Sequence, residues 1–274
     1  MQPHLLEALR LRIEQAGVSA HETRLLPHAR LAFDLHLNGE SDAEVGESRW
    51  GGGPDVPEGF EWPRLGRFPM GFVAQINLAD LVPDEENPFP QRGLLQFFAD
   101  MTSDAAHVVL VDADAPLRRA DPELDTEWGE MPPHRLRIVP RADLPQWATG
   151  DYDEVTADMS EEEQQAYGDA FNVTEGARPG ADFAGQLLGH VAGIGHDPRE
   201  SAFELRELGP SDSFDSDDSE HQSAIQRWRN LATFDSIRSL DFLLGDAGYF
   251  GFLIHEDDLE RLDFSRVYAL LQSS

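Results

Sequence analysis

The sequence predicts an α+β fold, built mainly on an antiparallel sheet and divided into two related halves by an internal duplication. Three observations predict it. Apolar runs of strand length recur from residue 31 to residue 254 and outnumber the helical periodicities. Gly, Pro, Asn and Asp separate these runs, as turn chemistry requires. An apolar strand followed by a loop, a glycine and an aromatic strand occurs at 72–100 and returns at 231–254.

The elements follow in order. Leu5, Leu6, Leu9 and Ile13, with Glu7, Arg10, Arg12 and Glu14 between them, form an amphipathic helix in an N-terminal extension over 1–20. This is no basic head followed by an apolar run, so no leader is expected. Leu31 to Leu37 alternates strictly and reads as a half-buried strand, ending at the turn signal Asn38-Gly39. A shaped loop from Trp50 to Trp62-Pro63 combines the freedom of Gly51, Gly52 and Gly53 with the stiffness of Pro54 and Pro57. Residues 70–78 and 93–100 read as strands, and residues 107–112 and 135–139 supply two more. Ser160 and Glu163 form a capping box that starts a helix running towards Phe171. Phe203–Leu208 reads as a further strand. Residues 210–220 are an acidic low-complexity run, read as a solvated loop. Leu231–Ile237 and Gly248–Ile254 are the second strand pair, and a short acidic helix follows over Glu256–Arg261. The whole chain, 1–274, reads as a single domain whose halves span roughly 30–140 and 185–272.

Composition bounds the function. A chain of 274 residues buries roughly 70–75% of its unfolded surface and needs no staples. It has no cysteine, which removes disulfides, thiolate catalysis and Cys-type zinc sites and points to the cytoplasm. Its apolar runs are too short to cross a bilayer as helices. The net charge is −31, and all 21 basic residues are arginine. A global positive field for nucleic acid is therefore absent. A basic protein partner, or a high-GC genome with adaptation to a salty habitat, would explain the charge.

Gly51-Gly52-Gly53-Pro54, Pro57 and Trp62-Pro63 are followed by Phe72-Val-Ala-Gln75-Ile-Asn77-Leu and by Gly93-Leu-Leu-Gln-Phe-Phe. Later come Leu188-Gly189-His190 and Gly245-Asp246-Ala-Gly248, then Phe252, Glu256-Asp-Asp-Leu259 and Asp263-Phe264. In this order, over residues 50–265, the residues resemble the YwqG-like family of uncharacterised bacterial proteins. The chain departs from the family pattern at Phe234-Asp235-Ser236, where relatives carry a glutamine, and at Val191-Ala192-Gly193. The resemblance implies an α+β fold with an internal repeat and no established activity. Relatives among contact-dependent toxin genes imply an immunity-type role.

No nucleophile elbow, P-loop, dinucleotide fingerprint or metalloprotease helix is present, and neither a catalytic residue nor a cofactor is assigned. Gln75 and Asn77, two apart, share one strand face, with Phe72, Ala74, Ile76 and Leu78 expected on the other. They read either as amides satisfying loop backbone or as polar contacts in a pocket near Trp62. Trp62 is expected to be buried, anchoring the Gly/Pro loop. Trp62, Gln75, Asn77 and Asp246 are the candidate binding residues. His190, His196 and Asp197 are the best metal cluster, but no further ligands are visible nearby and the histidine spacing of six does not suit one helical face, so no metal site is assigned.

Two functions are carried forward. The first is a non-enzymatic binding protein, of immunity type, that recognises a basic protein. The alternative is a small-molecule-binding protein or hydrolase with its site in the cleft between the two repeat halves.

Overall fold

Leu5, Leu9 and Ile13 recur at four-residue spacing behind a proline in the first turn, and this pattern forms helix α1 over Pro3–Gln15 with those three side chains buried. The computed structural model describes residues 1–39, 43–100, 105–123, 131–172, 182–209, 212, 214–215, 218–246 and 248–273. After α1 come a short helix α2 (Glu22–Leu25) and strand β1 (Arg30–Leu37). Then follow β2 (Arg49–Trp50), β3 (Asp55–Pro57), β4 (Arg64–Leu65), β5 (Phe68–Pro69) and β6 (Gly71–Asn77). Next are β7 (Leu94–Asp100), β8 (Ala105–Val111), β9 (Leu117–Arg119) and β10 (His134–Asp143). Helices α3 (Gly150–Thr156) and α4 (Glu161–Phe171) lead to β11 (Phe183–Leu188). The chain ends with α5 (Pro198–Arg206), α6 (Ser219–Ile225), β12 (Trp228–Asp235), β13 (Tyr249–His255), α7 (Glu256–Glu260) and β14 (Tyr268–Gln272).

Ten strands make one sheet in the order β14-β13-β12-β11-β1-β10-β2-β6-β7-β8, with each adjacent pair antiparallel. The sheet curls almost into a barrel. On a flat sheet β7 and β12, six strand spacings apart, would be separated by about 29 Å. Yet the rings of Phe97 on β7 and Phe234 on β12 are 5.2 Å apart, as are those of Phe97 and Phe252. The outer strands β8 and β14 accordingly approach each other. Inside lies one continuous core, to which Phe33, Leu35, Ile76, Leu95, Phe97, Phe234 and Phe252 contribute. Among the described residues no helix is long and apolar enough to cross a membrane.

One-residue register shifts occur in both outer hairpins. Phe72 pairs with Phe98, but Ala74 pairs with Phe97, so Val73 is an extra residue in β6. Asn230 pairs with Leu253 and Ala232 with Phe252, so Leu231 is extra in β12. The first shift corrects the sequence reading. Alternation places Phe72 opposite Gln75, but the bulge turns it onto the same outer face, where it packs with Met70 and Phe98. The expected strand at Phe203–Leu208 is a second correction, since Phe203 lies in helix α5. Asp197 caps that helix by accepting from the Arg199 amide, and Pro198 opens its first turn. Helices α5 and α6 cover the outer face of β12–β14, burying Phe203, Ile225, Trp228 and Leu253 together. The capping box at Ser160 and Glu163 is formed and starts α4. Within the acidic run 210–220, residues 210, 211, 213, 216 and 217 lie outside the described residues; Ser219 and Glu220 open α6.

Candidate functional site

The polar residues singled out in the first half fasten a loop. Gln75 is fully buried; its Oε1 accepts from the Asp55 amide at 2.9 Å, and its Nε2 donates to Glu47 O at 2.8 Å and Asp55 Oδ2 at 2.6 Å. Gln96, its cross-strand partner, donates to Asp55 O at 2.7 Å. Asn77 donates to Gly46 O at 2.8 Å and accepts from the Ala79 amide at 3.0 Å. Asp55 also receives Arg119 Nε at 3.1 Å and the Gly46 amide at 2.8 Å. Burial pushes the Asp55 carboxyl up, but the Gly46 amide and the guanidinium groups of Arg119 and Arg49 outweigh it and hold the group below the usual carboxylate range. These bonds strap residues 46–57 across the outer face of β6 and β7. They match the reading of buried amides that satisfy loop backbone.

Trp62 is half-buried rather than fully buried. Its indole N–H donates to Met70 O at 2.8 Å, and its ring meets Phe98 edge-on at 5.6 Å. It closes the far end of the same loop, in the apolar patch of Met70, Phe72 and Phe98. Asp246 is exposed in the turn before β13. In the sheet order β11, β1, β10 and β2 lie between its hairpin and β6, and the structure gives it no shared bond with Gln75 or Asn77. His190 is buried, with Nε2 2.7 Å from His28 O. Asp197 is occupied by Arg199, which reaches its Oδ2 at 2.6 Å through Nη2. His196 meets the Gln272 amide at 3.2 Å. No group of three or more metal-capable side chains occurs among the described residues.

A second buried network has a different consequence. Asp143 is 1% exposed and accepts from Arg141 Nη1 at 2.5 Å, Gln146 Nε2 at 3.1 Å and the His190 amide at 2.7 Å. Arg141 also reaches Asp34 at 2.7 Å and Gln186 Oε1 at 2.7 Å. Burial opposes the Arg141 charge, but Asp143 and Asp34 outweigh it and raise its pKa further above the guanidinium range. Gln186 and Asn230 both donate to Leu188 O, at 2.9 and 2.7 Å, while the Gly189 amide donates to Leu31 O at 3.0 Å.

Four of these bonds, to Leu188 O from Gln186 and Asn230, from the Gly189 amide to Leu31 O and from the His190 amide to Asp143, fix the turn Leu188-Gly189-His190 that ends β11. Leu188 has φ +55° and Gly189 φ +74°. The left-handed region costs an L-residue with a Cβ roughly 1–2 kcal/mol, and such strain persists only where the surroundings over-determine it. At Gly189 a Cβ would lie 2.5 Å from Asp143 Oδ2 and 2.8 Å from the Ala32 Cβ, so both conformation and space demand glycine.

This strained turn lines a cleft of about 360 Å³. Arg30 and Leu31 come from the start of β1, and Glu86 and Pro88 from the loop between β6 and β7. Arg229 and Asn230 come from β12, and Glu256, Leu259 and Glu260 from α7. The cleft thus lies where the first half of the chain meets the second. Arg229 holds Glu256 at 2.9 Å, and Arg227 holds the other oxygen at 3.0 Å. Burial raises the Glu256 pKa, but the two arginines win and keep it ionised. Glu86 accepts from the Leu31 amide at 3.0 Å, and the Met1 amino group lies 3.1 Å away. Arg30 is half-buried, and among the described residues its side chain makes no hydrogen bond or ion pair. Burial first, then the neighbouring Arg229, lowers its pKa to about 10, which leaves it charged at neutral pH.

None of these cleft residues is among the candidate binding residues read from the sequence; Leu188, Gly189, Glu256 and Leu259 enter only through the motifs of the family resemblance, where attention falls on His190. The available signal was the glycine directly after the apolar pair Leu187-Leu188 that ends a strand, a position that calls for positive φ. No curated protein matches the chain. Residues 48–273, which carry every wall of the cleft except Arg30 and Leu31, match the model of a domain of unknown function, DUF1963, and the chain belongs to that family.

Proposed function

We propose that this protein binds a small molecule in the cleft between its two halves. The observation that carries the reading is the Leu188-Gly189 turn. A strained backbone, held by a buried network of Arg141, Asp143, Gln186 and Asn230, faces a cleft with apolar walls and convergent polar groups. Binding fits better than hydrolysis, because both Glu256 oxygens are held by arginines, which lower its pKa and make it a poor general acid and a weakened general base.

The test is native mass spectrometry of the purified protein after incubation with a small-molecule extract of bacterial cells. The wild type should retain a bound species, and Leu259→Trp, which fills the cleft, should lose it while keeping its circular dichroism. Absence of any retained species, or equal retention by both proteins, would reject the reading.

The same reading treats the halves as an internal duplication of YwqG-like type. In its support, β6–β7 and β12–β13 are both antiparallel hairpins with one extra residue in the first strand, a 3-10 turn after it and a glycine before the second. The net charge of −31 favours a second reading, a basic protein partner drawn by the field of the whole molecule. A cysteine-free chain of this kind suits the reducing cytoplasm.

A further inference from the structure

Resting on the cleft reading, we infer that the ligand is a small organic monoanion, carboxylate-headed with an apolar body, whose head seats on Arg30. The chain has 52 acidic and 21 basic residues, so an arginine has carboxylates in excess to pair with. Arg49, Arg119, Arg141 and Arg199 each hold one. Among the described residues Arg30 holds none, although it is half-buried and lies against the like charge of Arg229. Asp151 and Asp143, whose charges act on it, are already bonded by Arg199 at 3.0 Å and Arg141 at 2.5 Å. A partly desolvated cation beside another cation is unfavourable in the empty cleft, and an incoming anion relieves that penalty. The free guanidinium offers a planar fork matched to a carboxylate.

The rest of the cleft sets the selectivity. Leu31, Leu188 and Leu259 give the ligand's body an apolar wall. Glu86, Glu256 and Glu260 disfavour a second negative charge, so a monoanion is preferred to a dianionic phosphate.

Hexanoate, hexanol, hexylammonium and inorganic phosphate are titrated into the wild-type protein, Arg30→Gln and Arg229→Gln, with affinity read by calorimetry and stability by melting temperature. Hexanoate should bind the wild type at least tenfold more tightly than hexanol, and Arg30→Gln should abolish that preference. Without ligand, Arg30→Gln should melt no lower than the wild type, because Arg30 holds no partner in the fold. Arg229→Gln should weaken hexanoate binding less than Arg30→Gln does. Hexanoate binding no tighter than hexanol, equal hexanoate binding to Arg30→Gln, or a preference for hexylammonium or phosphate would each overturn the inference. A neutral or cationic species captured from extract and lost on Leu259→Trp would overturn it while leaving the cleft reading intact. Capture of no species would remove the cleft reading itself.

Discussion

Gly189 shows how much one position carries. Its positive φ and the closeness of Asp143, Ala32 and Gln186 leave no room for a side chain. Gly189→Ala should therefore lower unfolding stability by about 1–3 kcal/mol, measured by urea denaturation. A mutant with an unchanged midpoint would mean that the turn relaxes freely. Asp235, at the end of β12, makes a separate prediction. Its Oδ2 is buried without a hydrogen-bond partner among the described residues. Burial first, and then the charge of Asp34, raises its pKa to about 7. Between about pH 4 and pH 7 the folded chain thus keeps a proton that the unfolded chain releases, so stability falls as pH rises through this window. Asp235→Asn removes that dependence. Its melting temperature relative to the wild type should climb from pH 4 to above pH 7, and a constant difference would refute the assignment.

At the scale of elements, what the sequence could reveal depended on whether a signal was local. Leu31, Phe33, Leu35 and Leu37 alternate and lie in one core face of β1. Ser160 and Glu163 carry a complete capping signal within four residues, and α4 begins there. Phe203–Leu208 misleads because apolar and aromatic content alone does not separate a short strand from a buried helical turn. The decisive signal, Asp197-Pro198, lies upstream, and it places Phe203 on the buried face of α5. The bulge at Val73 is not local at all. Register with β7 decides it, and so decides that Phe72 joins Trp62 and Phe98 on the outer face. Gln75 and Asn77 were visible as polar residues in an apolar run. That they strap residues 46–57 could be seen only once Asp55 was placed over them.

On the scale of the whole molecule, the adjacency of β1, β11 and β12 in the sheet, with α7 following β13 and the β6–β7 loop laid beside them, brings residues from 30 to 260 to one place. Arg30, Glu86, Gly189, Arg229 and Leu259 belong to five separate segments, so no motif unites them. Arg30 has no distinguishing sequence context, and what marks it is the absence of a partner among the described residues of a chain rich in carboxylates. The expectation of a site between the halves came from the repeated strand pattern, and the proposed binding reading is what gives the cleft that role. The most direct measurement is hydrogen–deuterium exchange of the wild-type protein, with and without the small-molecule extract. The account predicts slowed exchange at residues 186–191, 229–231 and 256–260, where the strained turn, β12 and α7 line the cleft. A bound species that leaves those three segments unchanged and protects another part of the surface would contradict it.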